Sequence, residues 1–285
     1  MGLDINNSKF LIAEKKRGLS LGRTLTLGRQ EVYMTPHEYT TILENLGVEQ
    51  TDKKYGDDFF RGLGADKLSI MDASNYEGAE VIHDLNTPIG AELRSSFDTV
   101  IDGGTLEHVF HFPNSIKNCM ELVKLGGHLI LMTPWHNHSG HGFYQFSPEL
   151  FYNILCPKNG YNIERMLIIT EGYWYSIRNP ADIKRRVELS TNDPIDIYVL
   201  AKRINCNQIF EKWPQQSDYS DAWKQGSYGD TNSKASESFK TNLVNKLPFL
   251  QELQSRWRRL KSRRAISPSK NPGLVKICRG QEIPL

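Results

Sequence analysis

Short apolar or β-branched runs alternate with helical patterns between about residues 20 and 205, and this alternation constrains the fold more than any other feature. Strands that alternate with helices are typical of a mostly parallel sheet with helices packed against it. The sequence therefore predicts an α/β fold with a seven-stranded, mostly parallel sheet and helices on both faces. The predicted strands are residues 24–27, 68–71, 80–83, 99–101, 128–132, 165–170 and 195–201.

Two helices have recognisable boundaries. Residues 113–123 place Ile116, Met120 and Val123 on one face, and the glycine pair at 126–127 ends the pattern. A second helix is predicted after Ser147, because serine caps helix N-termini and the following proline suits the first helical position.

The composition changes after residue 210. We expect a folded domain at 1–210, a polar linker at 211–240 that is rich in Gln, Ser, Asp and Gly, and a basic C-terminal extension at 241–285. The extension contains an amphipathic helix, because apolar residues recur at helical spacing among arginines: Leu250, Leu253, Trp257 and Leu260. We expect residues from about 246 to 276 to bind an anionic surface, either a membrane leaflet or nucleic acid, and not to be needed for the fold. The alternative is a helix docked on the domain.

Bulk properties exclude several protein classes. Hydrophobic residues make up 39% and charged residues 24% of the chain, as in an ordinary globular protein. The four cysteines form no CxxC pair, which argues against a zinc ribbon or redox motif and favours a reducing compartment. The longest apolar run, residues 129–132, is far shorter than a transmembrane segment. The sequence therefore predicts a cytoplasmic protein with no transmembrane segment.

Two stretches carry the most specific signal. Residues 97–109 read FDTVIDGGTLEHV, and residues 126–134 read GGHLILMTP. They resemble the fourth and fifth strands of class I S-adenosylmethionine-dependent methyltransferases, whose segments read like FDxVxxxxxLEHV and GGxLxxxxP. The resemblance covers roughly residues 20–205, about two-thirds of the chain. It implies a Rossmann-like enzyme that uses S-adenosylmethionine to methylate a small-molecule or glycan acceptor, at oxygen.

The resemblance also implies which residues hold the cofactor. Ligands of open α/β sheets bind beyond the carboxyl ends of the strands, where several acidic residues fall here. The first would accept hydrogen bonds from the ribose hydroxyls, the second would contact adenine, and the third would lie beside the methionine part. With their neighbours, these positions are Asp72 and Ala73, Asp84 and Leu85, and Asp102 and Gly103. Aspartates at strand ends also close turns without any ligand.

The first glycine-rich turn departs from the family pattern. A GxGxG turn normally follows the first strand and lets the backbone approach the cofactor. Here only Gly28 remains, and Arg29 and Gln30 add bulk where the methionine end of the cofactor would lie. Arg29 is also a candidate to pair with the methionine carboxylate. About forty residues separate Gly28 from Asp72, so an insertion at 34–64 is expected to cover the site.

The loop after the fifth predicted strand contains His136, His138 and His141 among glycines and aromatic residues. Histidine titrates near neutral pH, so this loop is predicted to supply a base for a substrate hydroxyl. The predicted catalytic residues are His141 first, then His138 and His108. Each histidine alone could equally stabilise the loop by bonding to the backbone. The aromatic residues at 173–175 are expected either to wall the acceptor pocket or to pack at an edge.

The pair Glu107 and His108 raises the question of a metal. Some ubiquinone-pathway and small-RNA 2′-O-methyltransferases place divalent-metal ligands in an E-x-x-E-H stretch at this point, with a further histidine later. In this chain Gly104 replaces the first glutamate, so Asp102 or a loop histidine would have to complete the ligand set. We predict no metal ligands.

Two alternatives remain open at this point. One is a binding protein without catalysis that keeps the fold but has lost the glycine turn. The other is a nucleic-acid methyltransferase that uses the basic tail as a handle, because clustered arginines suit phosphate binding. The chain lacks the Asn/Asp-Pro-Pro-Tyr/Phe motif of amino-directed nucleic-acid enzymes, which argues against the second alternative.

Overall fold

A computed structural model describes residues 2–217 and 248–285. The helices in this part are α1 (Ile5–Lys16), α2 (Pro36–Leu46), α3 (Asp57–Gly62), α4 (Phe112–Leu122), α5 (Pro148–Ile154), α6 (Pro180–Ile183) and α7 (Pro248–Ala265). The strands are β1 (Gly2–Leu3), β2 (Gly22–Leu27), β3 (Glu31–Val32), β4 (Ala65–Asp72), β5 (Val81–Ile82), β6 (Phe97–Asp102), β7 (Val123–His136), β8 (Tyr161–Thr170), β9 (Tyr173–Ile177), β10 (Ile195–Arg203) and β11 (Leu274–Arg279).

Nine strands form one sheet in the order β11-β9-β8-β10-β7-β6-β2-β4-β5. The five strands from β7 to β5 pair in parallel, and the pairs from β7 outward to β11 are antiparallel. Each of the seven predicted strands is present, and the predicted Rossmann-like α/β class is confirmed. The sheet has nine strands rather than seven, because β9 and β11 extend one edge.

Neither of the two additional strands, β9 and β11, is among the predicted strands. β8 and β9 form a hairpin whose two turn residues, Glu171 and Gly172, both have positive φ values of 48° and 73°. Such values suit a tight hairpin turn, but glutamate is not one of the residues that predict such a turn. β11 is an edge strand that contains Lys276 and Arg279, so its sequence resembles the basic tail around it.

Helices cover both faces of the sheet because its central strands are buried on both sides. In β7, Leu129 and Leu131 belong to the same core as α4 and α5, whereas Ile130 and Met132 face the core formed with α1, α2 and α3. This alternation follows from the two-residue period of a strand. The continuous apolar run at 129–132 is therefore the mark of a fully covered strand.

The predicted helix boundaries agree with the structure. α4 spans residues 112–122, one residue earlier at each end than predicted, and its first turn is capped by His111. The Ser147 side chain accepts a hydrogen bond from the backbone N–H of Leu150, so it caps α5 as predicted. The insertion at 34–64 forms α2 and α3, whose residues Tyr39 and Phe59 are buried in the second core.

The end of the chain differs from the prediction of a dispensable extension. β11 pairs with β9, so residues 274–279 belong to the main sheet and that part of the prediction is wrong. The amphipathic helix is present as α7, but its described apolar side chains Trp257 and Leu260 are exposed. Residues 218–240 of the predicted linker and residues 241–247 of the predicted extension lie outside the described residues, and the domain boundaries stay a prediction. Within 2–217 and 248–285, no helix combines the length and apolarity needed to cross a bilayer.

Candidate functional site

The carboxyl ends of β2, β4 and β6 meet around Gly28. This glycine has a φ of +65°, and its N–H donates to the carbonyl of Met71 at 2.7 Å. A Cβ built on Gly28 would lie 3.5 Å from Thr105 Oγ1 and 3.9 Å from Asp72 Oδ2. The turns that follow three different strands therefore approach one another at this point, as expected for a ligand crevice at the end of an open sheet.

Asp72 offers an acceptor beside this crevice. Its Oδ1 accepts a hydrogen bond from the N–H of Ser74 at 3.0 Å, which closes the turn after β4. No hydrogen-bond donor to Oδ2 is found among residues 2–217 and 248–285. The neighbouring Ala73 is exposed. Asp72 thus combines a structural bond on one oxygen with an accessible second oxygen next to Gly28.

Asp84 and Leu85 serve the local structure. The Asp84 carboxylate accepts hydrogen bonds from the backbone and side-chain nitrogens of Asn86 at 2.9 and 2.8 Å, and these bonds lower its pKa. Leu85 is buried, and its carbonyl accepts hydrogen bonds from three side chains of α4: Asn114, Ser115 and Asn118. Asp84 remains exposed, so an adenine contact by this pair stays a prediction.

Asp102 lies beneath the crevice rather than on its surface. Its side chain is completely buried, and Oδ1 accepts hydrogen bonds from the N–H groups of Gly104 and Thr105 at 3.2 and 2.7 Å. Desolvation raises the pKa of this carboxyl to about 6, opposed by those backbone bonds. The Asp102 carboxylate thus shapes the loop after β6 from below, and a place for Asp102 beside the methionine part of the cofactor stays a prediction.

Gln30 and Gly103 close the crevice at one end. The Gln30 Nε2 donates to the carbonyls of Leu27 and Gly28 at 2.9 and 3.2 Å, which holds the side chain across the strand end. A Cβ on Gly103 would lie only 2.0 Å from Gln30 Oε1. The absence of a side chain at Gly103 therefore leaves room for the carboxamide of Gln30. The expected bulk after Gly28 is thus supplied by Gln30.

Arg29 is bound by residues of the insertion at 34–64. Its guanidinium lies 2.8 Å from Asp57 Oδ2 and 4.1 Å above the ring of Tyr55. The hydrogen bond to Asp57 is the main reason why the pKa of Arg29 is raised. Residues of the insertion at 34–64 already neutralise the charge of Arg29. The structure therefore does not favour a pairing of Arg29 with the methionine carboxylate of a cofactor.

A second group of side chains surrounds Glu107, which lies in a single turn of 3₁₀ helix (Leu106–His108) after β6. Glu107 is completely buried, and its Oε2 accepts a hydrogen bond from Thr133 Oγ1 at 3.4 Å. Within residues 2–217 and 248–285, no donor forms a hydrogen bond with its Oε1. The Nε2 of His141 lies 3.6 Å from that Oε1. Burial and the negative charge of Asp102 raise the pKa of Glu107 to about 8.

The loop after β7 is held against this turn by its backbone. Gly142 has a φ of +73°, and a Cβ there would lie 2.7 Å from the carbonyl of Glu107. The N–H of Phe143 donates to the same carbonyl at 2.7 Å. Only glycine permits this close approach, which brings His141 onto Glu107 and His108.

The three predicted catalytic histidines come together. The ring centroids of His141 lie 5.1 Å from those of His108 and 5.8 Å from those of His138. His138 Nε2 lies 3.1 Å from Asp196 Oδ1, although this pair is not aligned as a hydrogen bond. The neighbouring ring of His141 and burial lower the pKa of His108, with burial the larger cause. His136 is still part of β7, where it pairs with Ile195.

Two acidic residues of this cluster had no predicted role. From the sequence, Glu107 is a candidate only as a possible metal ligand, and Asp196 is not a candidate for any role. Asp196 pairs with Pro134 across β10 and β7, which carries it to the base of the histidine loop. Sequence reasoning could have found it only with the antiparallel pairing of those two strands in hand.

One ligand atom from each of Glu107, His108 and His141 lies within 4.8 Å of the other two. Opposite ligands of an ion with bonds of about 2.1 Å lie about 4.2 Å apart, so a small contraction would complete a site. One carboxylate and two imidazoles suit Mn²⁺, Fe²⁺ or Zn²⁺ better than Ca²⁺. These three side chains could therefore hold a divalent metal ion, and His141 would then be the additional histidine.

Two of the three aromatic residues at 173–175 are core residues, and Tyr173 is half-buried. Trp174 and Tyr175 are buried, and the Trp174 ring contacts Tyr198 edge to face at 5.2 Å between centroids. For Trp174 and Tyr175 the structure therefore favours the packing alternative over an acceptor wall. The aromatic rings beside the histidine cluster are Phe110 and Phe143, which are 71% and 67% exposed and meet edge to face at 5.8 Å.

No protein-family model and no curated protein sequence matches the chain. Solved structures with similar folds include the 1,6-didemethyltoxoflavin-N1-methyltransferase of Burkholderia thailandensis, with 11% identity and a TM-score of 0.40 over 70% of this chain and 77% of that one. An S-adenosylmethionine-dependent methyltransferase from Mesorhizobium loti has 15% identity and a TM-score of 0.37, over 67% and 96%. The C9 mutein of the branched-chain polyamine synthase of Thermus thermophilus has 10% identity and a TM-score of 0.39, over 75% and 59%. A function therefore has to be argued from the side chains of the site.

Proposed function

We propose that the chain is an S-adenosylmethionine-dependent methyltransferase that acts on an oxygen atom of a small-molecule acceptor. The observation that carries the proposal is that the crevice at Gly28 and the histidine cluster around Glu107 lie next to each other. Thr105 lies beside Gly28 and Asp72, and three residues later His108 lies in the Glu107 cluster. A ligand crevice and a group of titratable side chains therefore border each other at the carboxyl ends of neighbouring strands, where ligands of such sheets bind.

The cofactor half is formed by Asp72 and the turn at Gly28. The open Oδ2 of Asp72 is suited to accept hydrogen bonds from ribose hydroxyls, and Ala73 leaves room beside it. Gly103 and Gln30 define the end of the crevice, where the side chain of Gln30 limits its length. When bound, S-adenosylmethionine supplies the methyl group on a sulfonium centre. The residues of this half bind and orient it.

The acceptor half is formed by His141 with Glu107. Methyl transfer from bound S-adenosylmethionine to the acceptor oxygen would require that the hydroxyl proton leave, and the imidazole of His141 would accept that proton. Glu107 lies 3.6 Å from His141 Nε2 and orients that ring, while His138 and His108 border it. Alignment of two bound reactants can contribute roughly 7–11 kcal/mol, so one moderate base is sufficient. The exposed rings of Phe110 and Phe143 border the entrance for the acceptor.

Cofactor binding is tested by calorimetric titration of the full chain with S-adenosylmethionine and S-adenosylhomocysteine. Asp72→Ala should weaken binding by about 10- to 100-fold, since a charge-assisted hydrogen bond contributes roughly 1.5–3 kcal/mol. Asp66→Ala is the matched control, because Asp66 is an exposed aspartate at the other end of the same strand β4. Equal affinities of wild type and Asp72→Ala would remove Asp72 from the site.

Catalysis is tested separately with radiolabelled S-adenosylmethionine and a panel of hydroxylated metabolites and sugars. His141→Ala should lower turnover by about 10²-fold or more while cofactor affinity is retained, because general bases contribute about 10²- to 10⁴-fold. His37→Ala, an exposed histidine of α2, serves as control. Cofactor binding without methylation of any acceptor would favour the non-catalytic alternative, and methylation of oligonucleotides would favour the nucleic-acid alternative.

A further inference from the structure

The helix α7 has an unusual combination of charge and exposure. Its 18 residues contain six Lys or Arg residues and one acidic residue, Glu252. Trp257 and Leu260 are nevertheless 63% and 65% exposed. Large apolar side chains that remain in water beside each other usually mark an interaction surface, whereas single exposed ones do not.

Trp257 and Leu260 lie three residues apart and therefore share one face of the helix. Lys261 Nζ lies 5.2 Å from the centre of the Trp257 ring, so a cation lies directly beside the apolar pair. The side chains of Arg256, Arg259 and Arg264 are exposed as well. The described part of this helix thus presents an apolar pair bordered by positive charge.

The helix is connected to the folded domain at its C-terminal end. The carbonyl of Ile266 accepts a hydrogen bond from the N–H of Ser190, and Asn271 Nδ2 donates to the carbonyl of Glu188. Three residues later β11 begins and pairs with β9 at the sheet edge. The domain therefore holds the end of α7 while Trp257 and Leu260 face solvent, which contradicts the docked-helix alternative for these two side chains.

We propose that α7 binds the surface of an anionic lipid bilayer. Trp257 and Leu260 enter the headgroup region, where Trp is favoured, and the surrounding Arg and Lys side chains contact the anionic headgroups. A nucleic acid would satisfy the arginines, but it would leave the Leu260 side chain in water. The bilayer surface matches both the charge and the apolar pair, and for this reason it is the favoured partner.

The test is co-sedimentation of the full chain with vesicles of phosphatidylcholine alone and of phosphatidylcholine with about 30% phosphatidylserine. We expect binding to the anionic vesicles only, with a loss of about tenfold or more when salt rises from about 0.1 to about 0.5 M. Binding to neither vesicle, or equal binding to both, overturns the proposal.

Variants separate insertion from simple charge attraction. The double variant Trp257→Ala/Leu260→Ala should lower binding to anionic vesicles by about tenfold, because it removes the apolar pair and leaves every charge in place. Trp213→Ala is the matched control, since Trp213 is 70% exposed and lies outside α7. Unchanged binding of the double variant, or stronger binding of the chain to a single-stranded oligonucleotide than to the vesicles, contradicts the proposal. Circular dichroism checks that both variants are folded.

Discussion

Replacing Glu107 by glutamine should change how the stability of the protein depends on pH. The carboxyl of Glu107 is completely buried, and its pKa is raised from 4.5 to about 8, first by desolvation and second by Asp102. A group whose pKa is raised by folding binds its proton more tightly in the folded state. Its contribution to the free energy of unfolding is therefore complete below about pH 4.5 and is lost as the pH rises through about 8. Glutamine keeps the shape and the contact with Thr133 but does not titrate.

The size of the effect follows from the displaced pKa. A tenfold change in proton affinity corresponds to about 1.4 kcal/mol, so the displacement from 4.5 to about 8 sets an upper limit of about 5 kcal/mol. Asp102 titrates together with Glu107, and the two carboxyls share the cost of burying charge, which reduces the expected value to about 2 kcal/mol. Glu107→Gln should thus be about as stable as wild type near pH 5 and more stable by about 2 kcal/mol near pH 9.

The measurement is urea denaturation of both proteins in the presence of a chelator at pH 5, 7 and 9. The chelator matters because a bound cation would stabilise the charged carboxylate and reverse the comparison. Glu49→Gln, an exposed glutamate of the loop after α2, is the matched control and should show no such trend. A difference between wild type and Glu107→Gln that is the same at all three pH values would refute the reasoning.

Three further predictions concern the same region. Mn²⁺ added to the metal-free chain should raise its melting temperature at pH 8 and bind with about one-to-one stoichiometry in calorimetry, and His141→Ala should lower the affinity at least about tenfold. The absence of a heat signal in the wild type would exclude the Glu107, His108 and His141 site. Gln30→Ala should increase the affinity for S-adenosylhomocysteine severalfold, because it removes the carboxamide against Gly103, and weaker binding would instead make Gln30 a direct ligand. Gly142→Ala should destabilise the chain by about 1–3 kcal/mol and lower turnover, because the alanine Cβ would meet the Glu107 carbonyl and the φ at this position is positive. An unchanged unfolding midpoint would contradict the close approach of the two loops.

Part of the proposed cofactor half could be predicted from local signals. Asp72 follows a predicted strand and borders Gly28, as strand-end positions in an open sheet should. Asp102 has the same sequence context, yet its carboxylate is buried and bonded to Gly104 and Thr105. A strand-end aspartate can point up to a ligand or down into its own loop, and the local sequence is the same in both cases. Only the packing around the side chain distinguishes them.

The amino-acid sequence by itself determined the seven strands, the cap at Ser147 and the order of the elements, because these depend on periodicity and on contacts within a few residues. Tertiary structure decided the partner of Arg29, the pairing of β11 with β9 and the contact of His141 with Glu107. Each of these joins segments that are distant in the chain. Local periodicity does not predict which distant segments come into contact, since these contacts depend on the order of the strands in the sheet and on how closely their loops approach.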